Sequence, residues 1–328
     1  MRINLFTVSV VGVLLAVGCA GKAPTGTSMM TAVHREPWQG PQLTGEKITS
    51  AHYRIFTTTQ RSSLLSMMPG FMEAAYGNYL RMTGLPERAL KEPMPIYLMA
   101  SRDEWAAVTK AVMGPGGSEI ALQIEAGGYC YEGVCVFWAM HGLGTLSTAS
   151  HEGLHQFLHH RLKDRLPMWL EEGPWASAGG FELRGDDAVL FTSDYNASRF
   201  NNLRSAITQN RFIPLSQLVS MDAGEAINGK PTEVAVGYYG QLWALSVFIR
   251  TDERYREGFR RMLADAAAGR FNETLKLPPQ AVEEMRQRPR IYNKTFSEPL
   301  FRHYISDDPD GFDRHYRAFC YKLCGLEF

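Results

Sequence analysis

A histidine pair stands in the middle of the chain, in an H-E-x-x-H pattern that begins at His151 and ends at His155. Apolar residues at helical spacing around it predict a helix over 145–165. Residues four apart share a face of a helix, so both imidazoles can reach one zinc ion at about 2.0–2.1 Å each. Glu152 falls one step round the helix, where it can accept a proton from an activated water. This combination predicts metal-assisted hydrolysis.

A catalytic zinc ion usually has three protein ligands and an open fourth position, so a third ligand is needed. A histidine six residues past His155 is excluded, because that position is Arg161. Residues 167–173, Pro-Met-Trp-Leu-Glu-Glu-Gly, offer two carboxylates instead, Glu171 and Glu172. The proline suits the first turn of a helix. A second helix after a short turn would return a glutamate to the two histidines.

The pattern H-E-x-x-H followed by W-L-x-E-G resembles the gluzincin metallopeptidases. The longer form P-x-W-L-x-E-G is similar to the peptidase MA-like families, many of which are bacterial lipoproteins. This resemblance, specific over 145–176, implies a zincin-like helical part, a Zn²⁺ cofactor and hydrolysis of peptide bonds. It also implies that the third ligand is the glutamate immediately before the glycine, which is Glu172. Glu171 takes the variable place.

A tyrosine further along the chain extends the resemblance. The sequence Y-G-Q-L-W-A-L begins at Tyr239, inside a helix predicted over 235–250. It resembles the gluzincin helix whose tyrosine hydroxyl donates a hydrogen bond to the oxyanion of the transition state. The resemblance implies this role for Tyr239, with its neighbour Tyr238 as the alternative.

The sequence departs from the gluzincin pattern at three places. Residues 126–129 contain no glutamate, whereas gluzincin aminopeptidases carry one there that binds the amino terminus of the substrate. Ala176 stands where thermolysin-like enzymes carry an aspartate that orients a histidine ligand. Pro174 is expected to kink or loosen the helix just after Glu172, because proline has no backbone N–H.

The N-terminus has the features of an exported lipoprotein. Residues 5–17 are almost entirely apolar but too few to span a bilayer, which indicates a secretory signal over 1–18. The following Cys19 ends a segment that resembles the bacterial lipobox, which implies lipidation of this cysteine. An ordinary cleaved signal with an incidental cysteine is the alternative. Residues 19–45 are predicted to be a flexible tether. The resemblance to Gram-negative lipoproteins implies, through Ala20 after the cysteine, a place at the outer membrane, facing the periplasm or the cell surface.

The other four cysteines form two close pairs, Cys130 with Cys135 and Cys320 with Cys324. In an oxidising compartment they could form two disulfides, and three pairings are open. Local pairs are the expectation. A four-cysteine zinc site is the weaker alternative, because the two spacings match no common zinc module.

The charge balance excludes one class of partner. The 328 residues include 34 Lys and Arg and 34 Asp and Glu, so the formal net charge is zero. Proteins that bind nucleic acid normally carry a basic excess that neutralises phosphates. Hydrophobic residues make up 45% and charged residues 21%, which is ordinary globular composition.

The order of the predicted strands and helices along the chain indicates an α+β fold. Residues 46–140 are expected to form a mixed α/β part with a small sheet, and 141–328 a mostly helical part that carries the H-E-x-x-H helix, both within one catalytic unit over 46–328. The strands are predicted over 48–59, 94–99, 120–124 and 134–138. The helices are predicted over 69–82, 101–112, 145–165, 167–178, 235–250, 255–267 and 310–323.

The sequence therefore predicts a lipid-anchored zinc metallopeptidase that acts on a peptide or protein. Glu152 is the general base, and the edge strand at 134–138 aligns the peptide by backbone pairing. Two alternatives are a catalytically silent zinc lipoprotein that binds a partner and a structural envelope lipoprotein without metal.

Overall fold

The chain folds as predicted into an α+β structure, with its main sheet in the N-terminal half and a mostly helical C-terminal part. The computed structural model describes residues 26–40, 43–125, 127–173, 180–192, 194, 196–221, 225, 232–276 and 289–328. The strands are β1 (Thr27–Ser28), β2 (His34–Gly40), β3 (Leu43–Thr49), β4 (Tyr53–Thr57), β5 (Met94–Met99), β6 (Gly128–Tyr131), β7 (Val134–Trp138), β8 (Phe181–Leu183) and β9 (Ala188–Phe191).

Most helices follow the main sheet in the chain, and many of these later helices pack against one another. In chain order the helices are α1 (Ser62–Thr83), α2 (Arg102–Ala121), α3 (Gly144–Arg161), α4 (Met168–Glu172), α5 (Ala197–Thr208), α6 (Leu215–Ser220), α7 (Thr232–Thr251), α8 (Glu253–Ala268), α9 (Phe271–Thr274), α10 (Pro289–Tyr304) and α11 (Pro309–Leu323).

Six strands form the main sheet, in the order β2-β3-β4-β5-β7-β6. The central pairs β4–β5 and β5–β7 are parallel, and the others are antiparallel. A smaller sheet has the order β1-β9-β8. The predicted edge strand, 134–138, is β7 and lies inside the sheet. That prediction is wrong, and β6 is the edge strand instead.

The hairpin between β6 and β7 explains this arrangement. Its two-residue turn has left-handed backbone at Glu132 (φ 47°) and Gly133 (φ 76°), the conformation of a type I′ turn. The turn folds β6 back along β7, so the outer edge of the sheet faces the next helix in the chain. The strand predicted over 120–124 does not form, because α2 continues to Ala121 beyond a kink at Gly114.

The core joins the sheet to the helices that carry the predicted site. Phe157 of α3 packs against Tyr76 and Tyr79 of α1, with ring centroids 5.4 and 5.6 Å apart. Leu154 is buried in the same cluster. The apolar face of α3 is therefore held between α1 and the sheet, and the face that bears the histidines is positioned by this packing.

Part of the predicted tether is folded. Residues 26–40 contain β1 and β2, and β2 pairs with β3 from His34 to Gly40. Trp38 packs on Phe56 and Tyr97, with ring centroids 5.4 and 6.0 Å apart, which holds this strand on the sheet. The prediction of a tether to residue 45 is therefore wrong for this part. The signal and Cys19 lie outside the described residues, among which no helix has the length and apolar character to cross a membrane.

The four cysteines of the two predicted pairs are all free thiols, so the structure contains neither of the predicted disulfides. Cys130 and Cys135 face each other across β6 and β7. Burial raises the pKa of the Cys135 and Cys320 thiols well above its usual value. A disulfide forms from a thiolate, so burial of these thiols in their protonated form opposes oxidation. Cys324 lies one helical turn after Cys320 and is also buried.

Candidate metal centre

The position of α3 is fixed from two sides by hydrogen bonds. Gln156 is fully buried, and its amide donates to the carbonyl oxygens of Pro95 and Gly133, at 2.7 Å each. From the other side, the Tyr79 hydroxyl donates to the carbonyl oxygen of Ser150 at 2.8 Å. These bonds tie the H-E-x-x-H helix to β5, to the β6–β7 turn and to α1, so its histidines sit on a rigid element.

The second glutamate-bearing element, α4, is held just as closely. The Met168 N–H donates to the Asn293 side chain at 2.8 Å, and Trp169 is buried. At its end, Gly173 lies against α7, where an added Cβ would come within 2.9 Å of the Leu242 carbonyl oxygen. Glycine is therefore required for this close approach, which sets the position of the preceding Glu172.

Three of the predicted residues converge on one point. The ligand atoms of His151, His155 and Glu172 all lie within 4.8 Å of one another. The two histidine Nε2 atoms are 3.3 Å apart. Two ligand atoms at 2.0–2.1 Å from a tetrahedral zinc ion would be about 3.3–3.4 Å apart. The three side chains therefore form a site that could bind a metal ion.

The electrostatics of these ligands also fit a cation. Burial lowers the pKa of His155 to about 4, so its imidazole is neutral at physiological pH, as a metal ligand must be. Burial raises the pKa of Glu172, opposed mainly by His151. Within the described residues, no lysine or arginine forms a salt bridge with this carboxylate. Glu172 is partly buried, and a carboxylate removed from water in this way is normally paired or bound to metal, so a dication fits the site.

The neighbouring Glu171 has a different partner. Its carboxylate lies 3.4 Å from the Arg165 guanidinium and is not part of the histidine cluster. The structure thus brings Glu172, and not Glu171, to the two histidines. The exposed His159 and His160 are also outside the cluster.

Glu152 lies beside the cluster in a buried position. It is 8% exposed and accepts a hydrogen bond from the backbone N–H of Cys130 in β6. Burial, with a smaller contribution from the Glu172 charge, raises its pKa to about 8. A carboxyl that titrates near neutral pH can both take and return a proton.

The structure separates the two candidate tyrosines. Tyr238 is fully buried, and its hydroxyl donates to the Met221 carbonyl oxygen at 3.1 Å. Tyr239 lies near both carboxylates of the centre: burial raises the pKa of its hydroxyl, and the Glu172 and Glu152 charges raise it further against an opposing effect of Arg199. Its hydroxyl therefore keeps its proton and can act as a hydrogen-bond donor beside the metal site.

Sequence reasoning missed one cation at the centre, Arg199 of α5. Its guanidinium carbon lies 5.1 Å from the Tyr239 ring centroid. Its charge also interacts with Glu172. No sequence signal marked this residue, because a single arginine in an amphipathic helix is usually a solvated side chain.

A cavity of about 590 Å³ opens beside His155, between the β6–β7 turn and the connection from α3 to α4. Its lining includes the metal-ligand candidate His155, the edge-strand residue Cys130, and the charged side chains of Lys163 and Glu171. A space of this size is typical of small-molecule and peptide sites. The predicted kink at Pro174 and the substituted position Ala176 lie outside the described residues.

No protein-family model, curated protein or solved structure matches this chain. The functional assignment therefore depends on the chemistry of the three converging ligands and the groups around them.

Proposed function

We propose that this protein is a zinc-dependent metallopeptidase of the gluzincin type. The observation that carries the proposal is the convergence of two imidazoles and one carboxylate, from His151, His155 and Glu172, within 4.8 Å. Two histidines and a glutamate are a common ligand set of catalytic zinc in peptidases. A bound zinc ion would polarise the scissile carbonyl and lower the pKa of a water molecule.

The chain's own groups supply the proton transfers and the stabilisation of charge. Glu152 takes a proton from the attacking water and later returns it to the leaving amine, and the Cys130 N–H holds its carboxylate in place. Tyr239 donates a hydrogen bond to the carbonyl oxygen as negative charge develops there. Glu152 is buried and Tyr239 is partly buried, and such interactions are stronger there than in water.

The edge strand β6 offers a surface for the peptide. In a hairpin with a two-residue turn, Tyr131 and Val134 form a hydrogen-bonded pair, so the backbone groups of Cys130 and Gly128 point outward. The Cys130 N–H already binds Glu152. The remaining outward groups can pair with an extended substrate next to the metal centre.

Replacement of the general base tests the proposal. We expect Glu152→Gln to lower cleavage of a peptide library by about 10²–10⁴-fold, with zinc content unchanged because Glu152 is not a ligand. Glu171→Gln is the matched control and keeps most activity. Equal cleavage by wild type and Glu152→Gln would contradict the proposal. Bound zinc without any cleavage would favour the catalytically silent alternative.

The role of Tyr239 has its own control in the adjacent residue. Tyr239→Phe should lower kcat by about 10²–10³-fold, the usual effect of losing an oxyanion donor. Tyr238→Phe removes the bond to Met221 and should instead lower the free energy of unfolding by about 1 kcal/mol. A larger loss of kcat in Tyr238→Phe, measured by steady-state kinetics, would reassign the donor.

We also propose that Cys19 carries a lipid that holds the protein at the outer membrane of a bacterium. The support is the lipobox-like sequence before this cysteine. Cys19→Ala should abolish labelling by radioactive palmitate and move the protein from the membrane pellet to the soluble fraction. Unchanged fractionation would contradict the anchor.

A further inference from the structure

Arg199 lies at the centre, but it has no role in the proposed reaction. It lies in the first turn of α5, where its backbone N–H donates to the Asn196 side chain at 3.1 Å. Its side chain is partly buried and lies over the ring of Tyr239. Helix α5 packs along α7, which carries that tyrosine, so the guanidinium is held beside the site.

Among the residues that the structure describes, no carboxylate lies within salt-bridge distance of the guanidinium. Within the described part of the chain it forms no hydrogen bond or salt bridge, and its charge acts on Glu172 only over a longer distance. By contrast, Arg250 donates to Asp194 at 2.8 Å, and Arg165 lies 3.4 Å from Glu171. Arg199 is only partly buried, so its guanidinium remains available to pair with an anion from outside the chain.

The sum of the charges at the centre indicates that this partner is an anion. A bound dication would be balanced by the carboxylates of Glu172 and Glu152, and Arg199 adds one positive charge. A guanidinium presents parallel N–H donors that match a carboxylate in two hydrogen bonds. The guanidinium carbon of Arg199 already lies over the Tyr239 ring, 5.1 Å from the ring centroid, and this cation–π contact favours that position of the side chain.

We propose that Arg199 binds a carboxylate of the substrate beside the scissile bond. This inference rests on the proposed peptidase function and adds a substrate class to it: peptides with a carboxylate within about one residue of the cleaved bond. The carboxylate can be the C-terminal group of the peptide or an acidic side chain. Arg199 is a substrate-binding residue and takes no part in proton transfer.

The test measures binding, so it does not depend on turnover. Calorimetry on the zinc-loaded Glu152→Gln protein compares three short N-acetylated peptides: one with a free C-terminal carboxylate, its C-terminal amide, and an amide that contains a glutamate. We expect the amide without glutamate to bind about 10–100-fold more weakly than the better of the two carboxylate peptides. The carboxylate peptide that binds better identifies the source of the group.

Substitution of Arg199 then assigns the preference to this residue. In the Glu152→Gln background, Arg199→Gln should remove the preference for a carboxylate peptide, and Arg199→Lys should keep part of that preference. The control Arg302→Gln, at an exposed residue, should keep all of it. Equal binding of acid and amide, binding of neither, or a preference that survives Arg199→Gln would each overturn the inference. If wild type cleaves no peptide but the preference follows Arg199, the peptidase proposal fails, and only the binding of a carboxylate by Arg199 is supported.

Discussion

At the scale of single residues, the two glutamates of α4 have separate surroundings. Glu172 meets the histidines, and Glu171 meets Arg165. They are adjacent in the chain, so their side chains leave the helix in directions about 100° apart. Only one of the two can therefore reach the ligand position beside the histidines. Substitution of each glutamate in turn therefore tests which of them binds the metal.

We expect Glu172→Gln to weaken zinc binding by at least about 100-fold, because an amide is a poorer ligand than a carboxylate and the two remaining histidines leave the site incomplete. Glu171→Gln should change zinc affinity by less than about threefold, because it loses only a partly exposed ion pair. Competition titration with a chromophoric chelator measures both. The reverse order of effects would move the ligand to Glu171.

Residues on one helix could be predicted more reliably than residues brought together by the fold. The spacing of His151 and His155 fixes their common face, because helix geometry is local. Spacing alone left Glu171 and Glu172 open, and only the resemblance to W-L-x-E-G selected one. Arg199 could not be found, because it reaches the centre through the packing of α5 on α7.

At the scale of elements, the end of α4 determines where its glutamate lies. Gly173 is buried against the backbone of α7, at the Leu242 carbonyl. A methyl group there would clash with the carbonyl oxygens of Leu242 in α7 and of Trp169 in α4, so the backbone next to Glu172 would have to shift. A shift of about 1 Å is large compared with the tolerance of a functional site, which is about 0.5 Å.

Gly173→Ala should therefore weaken zinc binding by about 10-fold or more and lower the free energy of unfolding by about 1–3 kcal/mol, the cost of overpacking. Chelator competition and chemical denaturation measure the two effects. Gly116→Ala is the control, because no atom lies within 4 Å of an added Cβ at that position. An unchanged zinc affinity in Gly173→Ala would show that α4 is not positioned by this contact.

Elements with strong periodicity were predicted well. Strand β5 has the predicted bounds, and α3, α7, α8 and α11 lie within a few residues of theirs. Helix α1 begins seven residues before Pro69, the predicted start, so this proline lies inside the helix. The position of β6 at the sheet edge was missed, because strand order follows from parallel pairings between residues distant in the chain, such as Leu98 with Phe137.

At the scale of the whole molecule, one partly buried carboxylate links α1 to the turn between β3 and β4. Glu73 accepts hydrogen bonds from the Ser50 hydroxyl at 2.6 Å and the His52 N–H at 2.8 Å, and it pairs with the His52 ring at 2.6 Å. Burial alone would raise the pKa of Glu73, but these interactions outweigh it and lower the pKa below its usual value. The ionised form therefore stabilises the fold.

Because the folded pKa of Glu73 is lowered, its contribution is present above its unfolded value of about 4.3 and is lost as pH falls through the folded value. We expect Glu73→Gln to lower the free energy of unfolding by about 1–2 kcal/mol at pH 7 and by less below pH 4. Urea denaturation of the metal-free protein across pH 3–8 measures this. Glu87→Gln, at an exposed residue beside His52, is the control. A constant difference at all pH values would contradict the assignment.

The central claim is that one zinc ion is held by two imidazoles and one carboxylate. X-ray absorption at the zinc edge, together with metal analysis of the purified full chain, tests it most directly. We predict one zinc ion per chain, with only nitrogen and oxygen ligands at about 2.0–2.2 Å and the multiple scattering of two imidazole rings. A double variant that combines His151→Ala with His155→Ala should lose the zinc ion. No retained zinc, or sulfur scattering at about 2.3 Å from cysteine ligands, would contradict the account.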